Sequence, residues 1–171
     1  MREVGRARHC RGRQTRLGRN LGCSRQRIAA GGFVKIRYTS EEDIPLLAEL
    51  NHQLIQDERA SNPMSVAELS IRMRAWLQGE YRAVIFELAS EPVAYALFRS
   101  SEEGLYLRQF FVDRAHRRQG VGRLAIELFR EQVVPSGQSL SLEVLVNNEG
   151  AIAFWRRLGF HQHALSFRID P

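Results

Sequence analysis

Residues 110–123 read Phe-Phe-Val-Asp-Arg-Ala-His-Arg-Arg-Gln-Gly-Val-Gly-Arg, and this stretch decides the fold. An apolar strand runs into an arginine pair, two glycines and the start of an amphipathic helix. Glycines let backbone N–H groups face a ligand without a Cβ in the way, and the N-terminus of a helix adds partial positive charge. Arg117 and Arg118 supply full charges. The pattern therefore predicts an anion-binding loop that a pyrophosphate would fit.

The spacing of the glycines narrows the choice of phosphate ligand. A Walker loop carries a Lys-Ser or Lys-Thr pair after its second glycine, but Arg123 and Leu124 follow Gly122 here. A dinucleotide fingerprint carries a third glycine where this chain has Ala125. Because some dinucleotide sites accept Ala there, the spacing weakens that alternative without excluding it. An ordinary strand-to-helix turn with a solvated basic patch is the other alternative.

The same stretch resembles the acetyl-CoA signature of the GNAT superfamily of N-acetyltransferases, Arg/Gln-x-x-Gly-x-Gly/Ala, starting at Arg117 or Arg118. A lone Gly-x-Gly is a weak signal, and its specificity comes from its neighbours. A strand is predicted before it at 105–112. Downstream come Leu-Glu-Val at 142–144, Asn148, and Ala-Ile-Ala-Phe-Trp-Arg-Arg-Leu-Gly-Phe at 151–160, which are similar to the family's strand, Asn and helix. The resemblance is clear over 104–160 and looser over 34–171.

The resemblance implies that the chain binds acetyl-CoA as acyl donor and needs no metal and no covalent intermediate. In the family two neighbouring strands splay apart, here 105–112 and 139–146. The pantetheine arm then hydrogen-bonds as a pseudo-strand to backbone groups, and a backbone N–H in the gap can stabilise the developing oxyanion. Phe110 and Val112 would supply these groups. The implied acetyl-CoA-binding residues are Phe110, Phe111, Val112, Arg117, Arg118, Gln119, Gly120, Val121, Gly122, Arg123 and Asn148.

Glu143 is the first candidate for the base that deprotonates the amine. It is the only ionisable residue in the apolar stretch 140–146, and it lies where one branch of the family, the ribosomal-protein alanine acetyltransferases, carries a Glu base. A buried carboxylate suits a base near neutral pH because desolvation disfavours the charged form. A Glu at a solvated strand position, or one paired with a helix arginine, is the alternative.

Three more polar residues are candidates for the site. Gln109 lies on the other predicted strand of the gap and would orient a water or the substrate, because an amide is no proton acceptor at pH 7. Asp57 and Glu58 lie at the end of the first long predicted helix. They are candidates for binding a cationic substrate, with a solvated helix end as the alternative.

The residue that would protonate the departing thiolate is the point where this chain departs from the family. Many members carry a Tyr after the Phe of the helix that ends in Leu-Gly-Phe, whereas this chain has Trp155, and indole is no general acid. Three alternatives follow: the thiolate leaves without a protein acid, Tyr106 or Tyr38 substitutes, or the chain binds acyl-CoA without rapid turnover. Asn148 either contacts the pantetheine arm or only caps its helix.

The positive charge is confined to the first 32 residues. The net charge of the 171-residue chain is +6, but residues 1–32 contain nine Arg and one acid, which leaves residues 33–171 with a net charge of −2. This leader has almost no apolar periodicity and is predicted to be disordered. A transit peptide and upstream sequence read from a misplaced start are alternatives. The leader lacks the apolar segment of a secretory signal. The whole sequence contains no run of 18 apolar residues, so no membrane span is predicted. Both cysteines lie within the leader.

The apolar spacing predicts one α/β domain over 33–171 with the order β-α-α-β-β-β-α-β-α-β, ending on a strand at about 164–169. The resemblance implies a GNAT-like mixed, mostly antiparallel central sheet of six or seven strands flanked by about four helices. We predict a cytoplasmic acyltransferase that moves an acetyl group from acetyl-CoA to a primary amine of a small molecule or protein by direct attack in a ternary complex.

A non-catalytic acyl-CoA-sensing module of the same fold is the alternative function. A nucleic-acid partner is not expected, because the predicted domain is net acidic and shows no aromatic–basic interleaving. No membrane partner is expected either, and the sequence leaves a homodimer open as an assembly.

Overall fold

The computed structural model describes residues 26–27, 33–58, 62–164, 166–167 and 169 of the chain. Its centre is a sheet in which the strands lie in sequence order. A two-residue strand, β1 (Gln26–Arg27), pairs with the first of five longer ones: β2 (Phe33–Tyr38), β3 (Tyr81–Leu88), β4 (Glu91–Ser101), β5 (Gly104–Val112) and β6 (Ser139–Leu142). The four α-helices are α1 (Ile44–Asp57), α2 (Val66–Gln78), α3 (Val121–Gln132) and α4 (Glu149–Arg157). The sheet is mixed, because neighbours up to β5 are antiparallel while β6 runs parallel to β5.

The two faces of the sheet bury separate clusters. Successive side chains of a strand point to opposite faces, and on β4 this sends Ala94 and Ala96 to one face and Tyr95 and Leu97 to the other. The first face packs against α3 and α4. The second packs against α1 and α2 and is called the α1–α2 face below.

A bulge in β5 changes which side chains share the α1–α2 face. Leu97 of β4 pairs with Gln109, but the next residue of β4 pairs with Leu107, so Arg108 is an extra residue in β5. An extra residue shifts the alternation of side chains by one. Tyr106 and Gln109, three positions apart, therefore lie on the same face.

An ion-pair network fixes the start of α1. The Arg37 guanidinium donates to both carboxylate oxygens of Asp43 at 2.8 Å and to Glu87 at 2.7 Å. The Asp43 carboxylate also accepts the backbone N–H of Ser40 at 2.8 Å. Hydrogen bonding from Arg37 lowers the pKa of Asp43 to about 2. The network anchors one end of a helix whose other end carries Asp57 and Glu58.

The mixed α/β fold with four helices is confirmed. The predicted six or seven strands and their exact order are not, because the predicted domain has five strands among its described residues, and the two-residue β1 lies before it. The strand predicted at 139–146 ends at Leu142, because β6 separates from β5 there. Among the described residues of 164–169, none is in a strand. Most of the predicted leader, residues 1–32, lies outside the described residues, so its disorder stays a prediction. None of the described helices is long and apolar enough to cross a membrane.

Candidate active site

The loop between β5 and α3 presents an open backbone at the start of α3. Gly120 precedes the helix in the left-handed conformation with φ 85°, and Arg118 is also left-handed with φ 63°. A Cβ built on Gly120 meets nothing within 4 Å, so the space in front of this backbone is open. The first N–H groups of a helix have no partner within it. The loop therefore offers free donors and the positive end of a helix to an anion.

Gly122 has a different task, which is to bring α3 close to its neighbours. A Cβ at this position would lie 3.3 Å from Val112 Cγ2 and 3.3 Å from Phe154 Cε2. These distances are tighter than ordinary van der Waals contact, so a larger residue would displace β5 or α4. The glycine thus sets the N-terminus of α3 against the end of β5.

The second half of β5 has an open edge. Its ladder with β6 ends at Leu107, whereas β5 continues to Val112. In the ladder with β4, Val112 lies opposite Ala94 and Phe110 lies opposite Ala96. Asp113 donates its backbone N–H to the Val93 carbonyl at 2.8 Å, so the pair next to it, Val112 and Ala94, is a non-hydrogen-bonded pair. The same holds for Phe110, two residues earlier. Their own N–H and C=O groups therefore point away from β4, toward the gap beyond β6. This is the edge that a pseudo-strand would use.

Arg117 turns away from the open loop and ties it to α1. Its Nε donates to the Val112 carbonyl at 2.9 Å, and its guanidinium lies 4.9 Å from the Phe111 ring centroid. It also forms an ion pair with Asp57, which Arg114 contacts at 2.7 Å. Although burial acts to raise the pKa of Asp57, these two guanidinium groups hold it below its ordinary value.

The arginine contacts leave some predicted roles untested. Asp57 is engaged with two cations, so its role in binding a cationic substrate stays a prediction, as does a phosphate contact from Arg117. Arg118 is exposed, Gln119 donates to the Ala115 carbonyl at 2.8 Å, and Arg123 pairs with a glutamate one turn further along α3. Three arginines are predicted to bind acetyl-CoA. Among the described residues, Arg118 is the one of these three that lies beside the open loop and has no side-chain partner.

Tyr106 and Glu143 meet at the exposed edge of the α1–α2 face. The Tyr106 hydroxyl donates to Glu143 Oε2 at 3.2 Å. Burial raises the pKa of Tyr106, so the phenol stays protonated and keeps its donor at neutral pH. The expectation that Glu143 lies in a buried strand is wrong, and the alternative of a solvated position holds: its side chain is exposed. The reason is that Glu143 follows the edge strand β6, beyond the part of the sheet that α1 and α2 cover.

Gln109 belongs to a buried hydrogen-bond chain that the sequence does not reveal. Its Oε1 accepts from the Tyr95 hydroxyl at 3.1 Å, and its Nε2 donates to Asn51 Oδ1 at 2.8 Å. Both Tyr95 and Asn51 are 0% exposed. Asn51 looks like an ordinary polar residue of an amphipathic helix, and only the packing of α1 on β5 brings it to Gln109. The chain fixes the orientation of the Gln109 amide beside the bulge.

Glu58 ends α1 on the same side of the molecule. It is half-buried, and burial together with the charge of Asp57 raises the pKa of Glu58. The burial of Tyr95 and, after it, the charge of Glu58 raise the pKa of the Tyr95 hydroxyl, which donates to Gln109. Tyr106, Gln109, Glu143 and Glu58 therefore border one region of the α1–α2 face, next to the open edge of β5.

A family model described as the Acetyltransferase (GNAT) family matches residues 49–160, which is more than half of the chain. The chain belongs to the GNAT family of acetyltransferases. The GNAT fold also appears in the solved structure of a possible acetyltransferase from Clostridium difficile 630. That protein is 17% identical with a TM-score of 0.65, and the match covers 81% of this chain and 97% of the other.

Two further structural neighbours of this GNAT protein carry more specific descriptions. Aminoglycoside N-acetyltransferase AAC(6')-Iy, solved in complex with CoA, is 15% identical with a TM-score of 0.64, and the match covers 84% of this chain and 98% of the other. Ribosomal-protein-alanine N-acetyltransferase from Brucella melitensis biovar Abortus 2308 is 16% identical with a TM-score of 0.64, and the match covers 80% and 99%. Likeness at these identities shows the fold alone. A comparison with curated proteins gives no match.

The chain's own residues fit the donor that GNAT acetyltransferases use, acetyl-CoA. The open backbone at Gly120 suits the pyrophosphate, and the edge of β5 beyond Leu107 suits the pantetheine arm, with the Val112 carbonyl already accepting from Arg117. The described residues contain no group of three or more His, Cys, Asp or Glu side chains placed to hold a metal ion. That observation does not decide the predicted absence of a metal.

Trp155 and Asn148 have structural tasks in this GNAT protein. Trp155 is 9% exposed and packs against the rings of Phe110, Phe154 and Phe160 at 5.0 to 5.6 Å. The indole thus fills the core where many family members carry a Tyr. Asn148 Oδ1 accepts the backbone N–H of Ala151 at 3.0 Å and caps α4. A contact from Asn148 to the pantetheine arm stays a prediction.

Proposed function

We propose that this GNAT protein transfers an acetyl group from acetyl-CoA to a primary amine by direct attack in a ternary complex. One observation carries the proposal: the open edge of β5, which suits the pantetheine arm, lies next to the Tyr106–Glu143 pair. A donor along that edge and an amine on the α1–α2 face would meet at the gap between β5 and β6. Acetyl-CoA supplies the thioester, and the protein supplies position and proton transfer.

The proposed base is Glu143. The amine is an ammonium ion at neutral pH, so it must lose a proton before its nitrogen can attack the thioester carbonyl. The Glu143 carboxylate would take that proton, either directly or through a water, and its exposure lets it return the proton to solvent. The new C–N bond then forms as the C–S bond breaks. The nitrogen loses its second proton in this step, and that loss balances the proton that the thiolate takes to give free CoA.

Tyr106 is proposed both to position Glu143 and to protonate the thiolate, and Gln109 is proposed as a positioning residue. Tyr106 donates its hydrogen bond to Glu143 and so holds the carboxylate at the gap. It is also the tyrosine nearest to the proposed base, which makes it the proposed proton donor for the thiolate in place of Trp155. Gln109 is held rigidly by Tyr95 and Asn51 and would orient a water or the acceptor.

Release of free thiol from acetyl-CoA tests the proposal. The full chain would be mixed with acetyl-CoA and a panel of small amines and peptides, with a matched reaction that lacks the amine. We expect amine-dependent thiol release and an acetylated product that mass spectrometry finds 42 Da heavier, about the mass of an acetyl group replacing a hydrogen. Binding of acetyl-CoA without thiol release for any amine would refute catalysis.

A further inference from the structure

Three arginines and three aromatic rings form a layer on the α1–α2 face, which we call the arginine–aromatic cluster. Its members are Arg72, Arg99, Arg108, Trp76, Tyr81 and Tyr106. The guanidinium carbons of Arg72 and Arg108 lie 4.7 and 5.9 Å from the centroid of the same Trp76 ring. Arg99 lies 5.9 Å from the Tyr81 ring and 5.3 Å from the Tyr106 ring.

The positive charge of the cluster is poorly compensated by the protein. Within the described part of the chain, neither Arg72 nor Arg108 forms an ion pair, and Arg99 reaches only the exposed Glu80 at 3.7 Å. Among the described residues, the buried Nε atoms of Arg72 and Arg99 have no hydrogen-bond partner, while the Arg72 Nη1 donates to Met64 Sδ at 3.3 Å. Burial and the charge of Arg108 both lower the pKa of Arg72. Neighbouring like charges are costly, and an anion bound between Arg72 and Arg108 would relieve their repulsion.

The cluster directly borders the proposed catalytic residues. Arg108 is the bulge residue of β5, between Tyr106 and Gln109. Tyr106 belongs to the cluster and also donates to Glu143. A cationic region at Arg72 and Arg108 therefore lies beside an anionic one at Glu143. An acceptor with both charges would match this arrangement.

We propose that the acceptor is a small amine that also carries a carboxylate, as a free amino acid does, and that Arg72 and Arg108 bind this carboxylate. The inference rests on the proposed function. Guanidinium groups bind carboxylates through paired, charge-assisted hydrogen bonds, and the ammonium group would then face Glu143. A polycationic amine would instead bring like charge against the arginines, which discriminates against it.

Matched acceptor pairs test the charge requirement. Free amino acids would be compared with their carboxamides in the thiol-release assay with acetyl-CoA. We expect kcat/KM to be about 10- to 100-fold higher for the free acids, the usual worth of a charge-assisted hydrogen bond. The amide group lowers the basicity of the neighbouring amine, so a larger fraction of the carboxamide's amine is unprotonated and able to attack. A preference for the free acids therefore cannot come from the reactivity of the amine.

Variants assign the effect to the two arginines. Arg72→Met and Arg108→Met keep an apolar stem against Trp76 while removing the charge. Each should lower kcat/KM for the free acids by about 10- to 100-fold and leave the carboxamides nearly unchanged. Arg74→Met is the control, because Arg74 is an exposed residue of the same helix. It should behave like the wild type.

The outcomes separate this inference from the proposed function. The affinity for acetyl-CoA, measured by calorimetry, should be the same in the wild type and all three variants. Unchanged binding also shows that the variants fold. A wild type without acetyl-CoA binding would refute the proposed function. Equal use of acids and carboxamides, an equal loss for both in the arginine variants, or no turnover of any carboxylate-bearing amine would overturn the carboxylate site.

Discussion

Gly120→Asp should weaken acetyl-CoA binding far more than Gly120→Asn. Gly120 has a φ of 85° and open space beyond its Cβ position, so both side chains fit without a clash. Asn and Asp have nearly the same shape, and both enter the left-handed region more readily than other non-glycine residues. The backbone strain, roughly 1 kcal/mol, is therefore common to both. The comparison isolates one negative charge at the N-terminus of α3.

Coulomb's law gives the size of the expected difference. If the pyrophosphate binds at this loop, its charges lie roughly 6 Å from the new carboxylate, and each repels it by about 0.7 kcal/mol at a dielectric constant of 80 and about 2.8 at 20. Two phosphate charges then cost about 1.4 to 5.5 kcal/mol. This range corresponds to a loss of affinity between about tenfold and 10⁴-fold for Gly120→Asp relative to Gly120→Asn.

Isothermal calorimetry with acetyl-CoA, at low and at moderate salt, measures this difference. Added salt should narrow it, because salt screens exposed charges. Thermal unfolding of both variants checks that the fold is unchanged. Equal affinities for acetyl-CoA would refute the assignment of the loop as the pyrophosphate site. Gly122 is less suited to this test, because its Cβ would press on Phe154 and Val112 and change the packing as well.

Three further predictions concern the proposed base and the stability of the fold. Glu143→Gln should lower kcat by roughly 10²- to 10⁴-fold with little change in the KM for acetyl-CoA; a near-normal rate below pH 7 would contradict its role as the base. Asp43→Asn should lower the free energy of unfolding by about 1 to 2 kcal/mol at pH 7, after a discount for the exposure of its arginine partner. Because the pKa of Asp43 is lowered to about 2 from 3.8, this stabilisation is present above pH 4 and is lost as the pH falls through 2, so urea unfolding of the two proteins should converge there. Gly104→Ala should lower the free energy of unfolding by more than about 2 kcal/mol. Its φ is 149°, and its Cβ would lie 2.2 Å from the Ser139 carbonyl oxygen. Gly137→Ala is the control: with φ 80° and open space, it should lower the free energy of unfolding by less in the same denaturation assay.

Much of the fold and of the loop before α3 could be predicted because the signals are local. Glycines that take a left-handed conformation or allow close approach, such as Gly120 and Gly122, are visible in the spacing of a loop before a helix. The helix cap of Asn148 is equally local, since a cap involves residues three positions apart. The apolar spacing also predicts a strand at 164–169, and this prediction is not met in the described residues. Phe167 and Ile169 are about nine-tenths exposed there, so the apolar side chains of this short pattern are not buried.

The acceptor side could be predicted only in part. The sequence singles out Glu143 and Gln109 as polar residues in apolar strands and Tyr106 as a substitute for the missing proton donor, and the structure brings these three to one region. The burial of Glu143 was predicted wrongly, because a strand pattern does not say whether helices cover that face. Asn51 was missed, because its partner Gln109 lies 58 residues away in sequence.

By itself, the sequence determined the mixed α/β class, the glycine turn at Gly120 and the resemblance to the GNAT family, because turns, caps and periodicity act over a few neighbouring residues. Only the tertiary structure decided that Tyr106 and Gln109 share a face, since this depends on the extra residue at Arg108 in the pairing of β4 with β5. It also decided that Arg117 is held by Asp57. The physical reason is the same in both cases: contacts between residues distant in sequence follow from strand register and helix packing, which only the folded chain defines.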